Sequence, residues 1–312
     1  MTHNLKAAEP SANTNNSLPP GVFPARSLVT PTIPTNSFGM VAAQLRIIGQ
    51  QYCLSKGGAP YTRLYLGNST GSIVAIAWHD AFLPAELVFE HGQVAAFTGK
   101  VRTIKGQPIL NIRQVESIQG RELTPSGLLP VEWVVPRFRS ALSTLLHSWN
   151  DVGNHYIRTF LADVFANTAL AMGFLNGPAS KRYHHAYQGG LLDHSTEMLV
   201  GLRNELLYQA DSLERDLAIT LAIVHDLGKT VTLVGTRYNV RGAHQPHEMA
   251  ALEILAAPLQ ALERNLPVAA NLIRGYFKPR NWFPAQKARL YSVVSRLDRD
   301  SAQCNHELTN SQ

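Results

Sequence analysis

HHAYQGGLLDHS (residues 184–195) and LAIVHDLGK (residues 221–229) decide the fold of the C-terminal half of this chain. The first segment contains His194, and the second contains His225 and Asp226. Neutral imidazoles and carboxylates are ligands that a divalent ion accepts, and a group of them on helices predicts a preformed metal site.

Apolar residues at helical spacing place the second segment on a helix from about residue 214 to residue 227. We expect Gly228 to end this helix. Lys229 follows it, at a position where an ammonium group can meet the phosphate of a substrate held by the metal. The dipeptide His79-Asp80 does not predict a metal site, because it has no accompanying motif.

The same periodicity runs through the C-terminal half of the chain. Hydrophobic residues recur on one helix face from Phe138 to Trp149 and again from Ile157 to Val164. We therefore predict an all-α bundle over residues 137–312, joined to the N-terminal part by a linker at residues 121–136.

The N-terminal part has the punctuation of short strands. Between residues 39 and 120, segments rich in β-branched and aromatic residues alternate with Gly, Asn and Pro. Five strands are predicted, at residues 43–50, 61–66, 72–78, 93–103 and 108–118. Lys105-Gly106 supplies a hairpin turn between the last two. Five strands in some eighty residues fit a small closed barrel, for which the OB-fold is a common nucleic-acid-binding solution.

Strand alternation divides the barrel's side chains between two faces. The aromatic and basic residues of the second strand share one face, and the basic residues of the fourth strand share another. Aromatic rings stack on bases and cations follow phosphates, so we expect the barrel to bind single-stranded RNA or DNA. The predicted nucleic-acid-binding residues are Tyr61, Arg63, Tyr65, Lys100, Arg102, Arg113 and Lys278. The alternative is that they are ordinary solvated faces around a barrel with aromatic residues in its core.

Composition sets outer limits on these predictions. The net charge of +6 favours polyanionic partners without identifying one. Only Cys53 and Cys304 are present, which supports neither a disulfide framework nor a zinc ribbon. Residues 1–38 are rich in Pro, Asn, Ser and Thr, and we expect a disordered tail there. Since the sequence shows no secretory signal and no apolar run long enough to cross a bilayer, we expect a cytoplasmic protein with no membrane partner.

Taken together, the two C-terminal segments resemble the HD phosphohydrolase superfamily. An OB-type barrel in front of such a domain is similar to the YhaM-type 3'-5' exoribonucleases, and this resemblance runs from about residue 41 to residue 298. TGKVRTIKGQPILNIRQV (residues 98–115) is similar to that family's last two barrel strands, and GPASKRYHHAYQGGLLDHS (residues 177–195) to its entry into the helical domain. HHAYQGGLLDH also resembles the HD domain of some relaxases of conjugative elements, over less of the chain.

The resemblance implies an OB-type barrel followed by an all-α HD-domain bundle that holds a divalent metal ion, Mn or Mg. It implies metal ligation by His194, His225 and Asp226. The residues to which it assigns catalytic roles on the substrate side are His185, Lys229 and His247, the last with a possible second-metal or phosphate role.

The chain departs from the family pattern in two places. Where the family has a histidine pair, residues 274–278 read Arg-Gly-Tyr-Phe-Lys. The family's closing aspartate aligns with Ser295, and Asp298 follows one helical turn later, from where it reaches the ion only if the helix shifts. A site without these ligands holds one metal instead of two, or binds metal poorly and has lost catalysis.

The leading hypothesis is a metal-dependent phosphodiesterase, a 3'-5' exonuclease on single-stranded RNA or DNA. The alternative is a nucleic-acid-binding accessory protein with a degenerate HD domain, such as one that serves a mobile or conjugative element. A third hypothesis is hydrolysis of a small nucleotide, with the barrel only regulating it. The sequence leaves the oligomeric state open.

Overall fold

The computed structural model describes residues 40–79, 88–182, 184–205, 208, 212–278 and 288–309. It has an N-terminal β-barrel followed by a helical part, which confirms the predicted order of β and then α structure. The tail predicted at residues 1–38 lies outside the described residues.

The barrel contains five strands at the predicted places, and most neighbouring strands are antiparallel. They are β1 Met40–Leu54, β2 Pro60–Asn68, β3 Gly71–Trp78, β4 Val94–Ile104 and β5 Gln107–Ser117. The sheet closes in the order β1-β2-β3-β5-β4, with β3 and β5 parallel and β4 returning to β1. This closed five-stranded barrel is consistent with an OB-fold.

Period-two alternation fills the barrel. Leu64, Ala75 and Leu110 are in register on β2, β3 and β5, and all three are fully buried in the barrel core. The predicted hairpin at Lys105-Gly106 is confirmed, because Ile104 pairs with Gln107 on either side of it. Both turn residues have positive φ, 51° and 77°, which is the backbone that a two-residue hairpin needs and that glycine adopts without strain.

The stretch predicted as a linker forms short helical turns packed between the two parts. It contains α1 Pro125–Leu128 and 3-10 turns at Gly120–Glu122 and Val131–Trp133. The Gln44 side chain of β1 donates to the Glu122 carbonyl over 2.6 Å and accepts from the Thr124 amide over 2.9 Å. These bonds tie the stretch to the barrel.

The helical part packs around one hydrophobic core. Its helices are α2 Arg139–Asn150, α3 His155–Ala166, α4 Thr168–Asn176, α5 Gly190–Arg203, α6 Leu213–Val224, α7 Lys229–Thr232, α8 Val240–His244, α9 His247–Ile254, α10 Ala256–Asn265, α11 Pro267–Tyr276 and α12 Ala288–Thr309. The helix α6 lies at the centre, since every residue from Asp216 to Val224 is buried. It contacts α5, α11 and α12, and those contacts position the site described below.

Two sequence predictions for this part are wrong in detail. The helix predicted to run to residue 227 ends at Val224, and Gly228 does not terminate it. Instead Gly228 has helical φ of −60° and precedes α7, and a Cβ there would lie 1.8 Å from the His247 carbonyl oxygen. The glycine is needed for this close approach. The bundle is also not wholly α, because Leu233–Val234 and Arg237–Tyr238 form a short β6-β7 hairpin.

Candidate metal centre

Three helices bring the predicted metal-binding residues together. His194 lies on α5, in line with the buried Met198 one turn further on. His225 and Asp226 follow directly after the last residue of α6, and Asp298 lies on α12. The contacts of α6 with α5 and of α12 with both are therefore what assembles the group.

The ligand atoms of these residues converge on a small volume. The Nε2 atoms of His194 and His225 are 3.1 Å apart. Asp226 Oδ2 lies 3.6 Å from the first nitrogen and 3.4 Å from the second. Asp298 Oδ1 lies 3.2 Å and 3.7 Å from the same two nitrogens. His194, His225 and Asp226 are buried, whereas the Asp298 side chain is 42% exposed, so the group opens to solvent on that side.

Hydrogen bonds fix which ring nitrogens carry protons. Nδ1 of His225 lies 3.3 Å from the Ala222 carbonyl oxygen, an acceptor, so this nitrogen carries a hydrogen. Nδ1 of His194 lies 2.9 Å from the Ser301 hydroxyl. A proton on one of the Nε2 atoms, or a cation among the four atoms, relieves the repulsion between the imidazole lone pairs and the carboxylate oxygens. The donor set of two nitrogens and two oxygens is compatible with a divalent metal site.

The electrostatics of the group favour the metal-binding protonation states of His194 and Asp226, but they favour a proton on His225. Burial lowers the pKa of His194, which keeps its ring neutral. Burial also opposes charge on His225, but the neighbouring Asp226 carboxylate outweighs it and raises the pKa of His225. Although burial alone raises the pKa of Asp226, the charges of Lys229 and His225 lower it well below its ordinary value. The carboxylate is therefore ionised.

Lys229 and His247 both contact Asp226 directly. The Lys229 ammonium lies 2.5 Å from Asp226 Oδ2, and His247 Nε2 lies 3.2 Å from Oδ1. Both side chains are partly exposed, so they line the edge of the candidate ligand group and still reach solvent. The structure thus places these two predicted catalytic residues beside the cluster.

His185 lies in a second cluster instead of at the solvent edge. Its side chain is 1% exposed, with Nδ1 2.8 Å from the Tyr187 hydroxyl and Nε2 3.2 Å from Glu197 Oε2. Burial opposes charge there, but hydrogen bonds to Asp193 and Glu197 raise the pKa of His185 to about 9. Because its hydrogen bonds go to protein groups, His185 is better placed to hold neighbouring side chains in position than to contact a substrate.

The expected shift of the last helix is not needed for Asp298 to reach the ligand group. Its carboxylate lies at hydrogen-bonding distance from His194, whereas Ser295 lies one turn earlier on the helix and is half-buried. The segment that replaces the histidine pair is used structurally: Arg274 pairs with Glu263 over 2.8 Å, and Gly275 packs beneath the Tyr291 hydroxyl.

The sequence did not single out Ser301 and Glu197, which contact the ligand group from behind. Glu197 follows His194 by three residues on α5, and Ser301 follows Asp298 by three residues on α12. Helical spacing was the available signal, because residues three apart share a helix face. It could be used only once His194 and Asp298 were known to face each other.

The basic and aromatic residues of the barrel lie on one outer face, which corrects the prediction of two separate faces. Cross-strand register places Arg63 on β2 and Lys100 on β4 in a single row, through Ile76 and Asn111. In-register residues point to the same side of a sheet. By the same register, Tyr65 and Arg102 share the neighbouring row.

This face also contains an aromatic pair that the sequence analysis missed. Trp78 on β3 lies opposite Tyr61 on β2, and their ring centroids are 5.0 Å apart. Alternation along β3 was the signal, because it points Trp78 outward. Arg113 and Lys278 are exposed. Lys278 begins the basic and aromatic stretch KPRNWF (residues 278–283), of which residues 279–283 lie outside the described residues.

A cavity of about 350 Å³ is linked to the candidate ligand group through Lys229 alone, because none of the four candidate ligands lines it. It lies between the end of α4 and the β6-β7 hairpin, and Lys229 contributes to its wall. The other lining residues include Asn176, Tyr187, Gln188 and Thr236. A space of this size accommodates one small organic group, such as a nucleoside.

In the part of the chain that is described, no helix is both long and apolar enough to span a membrane. The chain is similar to curated proteins named 3'-5' exoribonuclease YhaM. The one from Bacillus subtilis is 25% identical over 256 residues, which cover 78% of this chain and 80% of the relative. That from Bacillus velezensis is 23% identical over 263 residues, with the same two coverages of 78% and 80%. That from Bacillus pumilus is 26% identical over 192 residues, or 61% of this chain and 60% of the relative.

No family model and no solved structure matches the chain. The YhaM-type resemblance therefore rests on these relatives, and it spans both the barrel and the helical part.

Proposed function

We propose that this protein is a metal-dependent 3'-5' exonuclease that acts on single-stranded RNA or DNA, in which the barrel binds the strand and an HD-type helical domain hydrolyses its end. One observation carries the proposal: two imidazole nitrogens and two carboxylate oxygens converge in a group that is buried except on the side of Asp298. The name of the relatives, 3'-5' exoribonuclease, supports the reaction type and favours RNA.

His194, His225, Asp226 and Asp298 would hold the ion, with Mn or Mg as the expected metal. When bound, a divalent ion supplies Lewis acidity toward a phosphoryl oxygen and lowers the pKa of water. Lys229 keeps Asp226 ionised and brings a positive charge to the edge where a phosphate approaches. His247, on the other oxygen of Asp226, is partly exposed and can form a hydrogen bond on the substrate side.

The surroundings of the group support a single-stranded polymer as substrate. On the barrel, the Tyr61–Trp78 pair offers stacking surface beside the row that contains Arg63 and Lys100. The cavity at Lys229 is large enough for one terminal nucleoside while the adjoining phosphate lies at the ammonium group. Removal of nucleotides one at a time from an end fits this arrangement.

A nuclease assay tests the proposal. End-labelled single-stranded RNA and DNA are incubated with the protein in the presence of Mn²⁺, Mg²⁺ or EDTA. We expect metal-dependent release of mononucleotides by the wild type and its loss in the His225→Ala/Asp226→Ala double variant. The control is His147→Ala, which changes an exposed histidine on α2. Absence of release by the wild type with every metal, or equal release by the double variant, contradicts the proposal.

A second candidate is a nucleic-acid-binding accessory protein with a degenerate HD domain. It is favoured by one observation, the Arg274–Glu263 pair where the family has a histidine pair. Metal analysis separates the two functions. A protein that binds single strands with a steep salt dependence and retains no Mn²⁺ belongs to the second class.

A further inference from the structure

The Ser301 hydroxyl occupies a bridging position behind the candidate metal ligands. Its Oγ is 2.9 Å from His194 Nδ1 and 2.6 Å from Glu197 Oε2. Ser301 is buried on α12, and Glu197 lies on α5 with His194. Three groups from two helices thus form a chain of hydrogen bonds that ends at the far side of a ligand ring.

The chemistry of the three groups fixes the direction of every bond in this chain. An ionised carboxylate only accepts hydrogen bonds, so the Ser301 O–H donates to Glu197. The hydroxyl oxygen then accepts, which requires the hydrogen of His194 to be on Nδ1. With that hydrogen placed, Nε2 presents its lone pair toward His225 and Asp298.

The other tautomer of His194, with its hydrogen on Nε2, also has a hydrogen-bond acceptor nearby. A hydrogen on Nε2 would point toward Asp298 Oδ1, which is 3.2 Å away. That bond is satisfactory for a protein without metal, but it uses both atoms that a cation needs. Without a partner at Nδ1, nothing among the described contacts of His194 opposes this tautomer.

We propose that Ser301 and Glu197 are positioning residues that hold His194 in the Nδ1-protonated tautomer and so prepare its Nε2 for a divalent ion. This inference rests on the proposed function, because it requires His194 to be a metal ligand. His185 supports the chain, since its Nε2 lies 3.2 Å from the Glu197 oxygen that accepts from Ser301. His185 is thereby an outer support of the candidate metal ligands.

The first measurement is Mn²⁺ affinity by calorimetry on the full chain. Hydrogen-bond partners behind a metal ligand typically contribute about 10- to 100-fold in metal affinity, so we expect Ser301→Ala to weaken Mn²⁺ binding by that factor. Ser301→Thr keeps the hydroxyl and should restore most of the affinity. Ser292→Ala is the matched control, because Ser292 is exposed on the same helix and, among the described residues, donates to the Arg289 carbonyl of its own helix.

The second measurement reads the tautomer of His194 directly. Long-range ¹H–¹⁵N spectra of the metal-free, histidine-labelled protein distinguish a protonated Nδ1 from a protonated Nε2, and His194→Gln identifies the signals by their absence. We expect the Nδ1-protonated form in the wild type and its loss in Ser301→Ala. An unchanged tautomer in Ser301→Ala, or unchanged Mn²⁺ affinity in a folded Ser301→Ala protein, overturns the inference.

The two measurements separate failure of this inference from failure of the proposed function. A wild type that binds no Mn²⁺ contradicts the proposed metal site, and with it the role of the hydrogen-bond chain from Glu197 through Ser301 to His194. A wild type that binds Mn²⁺ while His194 is protonated on Nε2 in the metal-free protein contradicts only the role of Ser301 and Glu197.

Discussion

Single residues of the second cluster carry charge in the interior of the helical part. His185 donates to Glu197 through Nε2 and to Tyr187 through Nδ1, so both of its ring nitrogens carry hydrogens. The Tyr187 hydroxyl donates its own hydrogen bond to Asp193 over 2.7 Å. A buried imidazolium between two carboxylates is a pH-dependent source of stability.

The stability contributed by His185 should disappear at alkaline pH. Its pKa is raised from 6.5 to about 9 in the folded protein, so the contribution is complete below pH 6.5 and is lost as the pH rises through about 9. The shift corresponds to about 3 kcal/mol of the free energy of unfolding. Urea denaturation of wild type and His185→Gln without metal should show a difference that shrinks by about this amount between pH 6 and pH 10. A difference that stays constant with pH contradicts the charged state, and the exposed His147→Gln serves as control.

A second prediction at the residue scale concerns the carboxylate of Asp298. Because Asp298 lies beside both Nε2 atoms and Ser295 does not, Asp298→Asn should weaken Mn²⁺ binding about 10-fold or more, whereas Ser295→Ala should leave it unchanged. Calorimetric titration of the two variants measures this. The opposite order of effects would assign the closing role to the Ser295 position.

The sequence sufficed to predict some site residues and not others, for a physical reason. His194, His225 and Asp226 lie within two compact motifs, so residue type and spacing pointed to them. Ser301 and Glu197 belong to no motif, and 104 residues separate them in the chain. Only the packing of α5 against α12 brings them together, and a single sequence does not contain that contact.

At the scale of elements, the turn after α6 determines where the ligands point. The helix ends at Val224, and the next residues curl through Gly228 into α7. The first turn of α9 lies directly against this glycine. The sequence predicted a helix through this region but not its early end, because no proline or capping glycine marks residue 225.

Replacement of Gly228 should disturb both folding and metal binding. In Gly228→Ala, the new Cβ would lie 1.8 Å from the His247 carbonyl oxygen, so α9 must move away and carry His247 from Asp226. We expect a loss of about 1–3 kcal/mol in the free energy of unfolding, together with weaker Mn²⁺ binding. Urea denaturation and calorimetry measure the two effects. Gly57→Ala is the control, since its nearest neighbour is 3.9 Å away, and equal behaviour of the two variants would contradict the packing argument.

The strands were easier to predict than the helix ends. Turn residues such as Lys105-Gly106 set strand boundaries locally, and alternation set which side chains point inward. Register was not predictable, because it depends on which strands become neighbours. For this reason Arg63 and Lys100 were assigned to different faces although they share one row.

At the scale of the whole molecule, one buried arginine joins the barrel to the helical part. Arg46 of β1 is fully buried, and its guanidinium donates to the Gly92 carbonyl over 2.8 Å and to the Leu128 carbonyl over 2.6 Å. It also donates to the carbonyls of Phe165 and Ala166 at the end of α3, over 3.0 Å and 2.7 Å. Burial lowers the pKa of Arg46 to about 10, so it remains charged at neutral pH.

Removal of this side chain should loosen the junction between the two parts. Arg46→Met keeps much of the apolar volume but leaves several buried carbonyls without their donor, at about 1–3 kcal/mol for each one left unsatisfied. We expect a total loss of at least about 3 kcal/mol in the free energy of unfolding by urea denaturation. Lys56→Met removes an exposed charge from the same barrel and should change the stability by less than about 0.5 kcal/mol. A loss in Arg46→Met no greater than in Lys56→Met contradicts this role.

The most direct test of the metal centre is X-ray diffraction from crystals grown with Mn²⁺, recorded at a wavelength where Mn scatters anomalously. We predict an anomalous peak at about 2.0–2.3 Å from Nε2 of both His194 and His225 and from a carboxylate oxygen of Asp226. The absence of a peak at that position, with the two imidazoles hydrogen-bonded to protein groups through Nε2, would contradict the account.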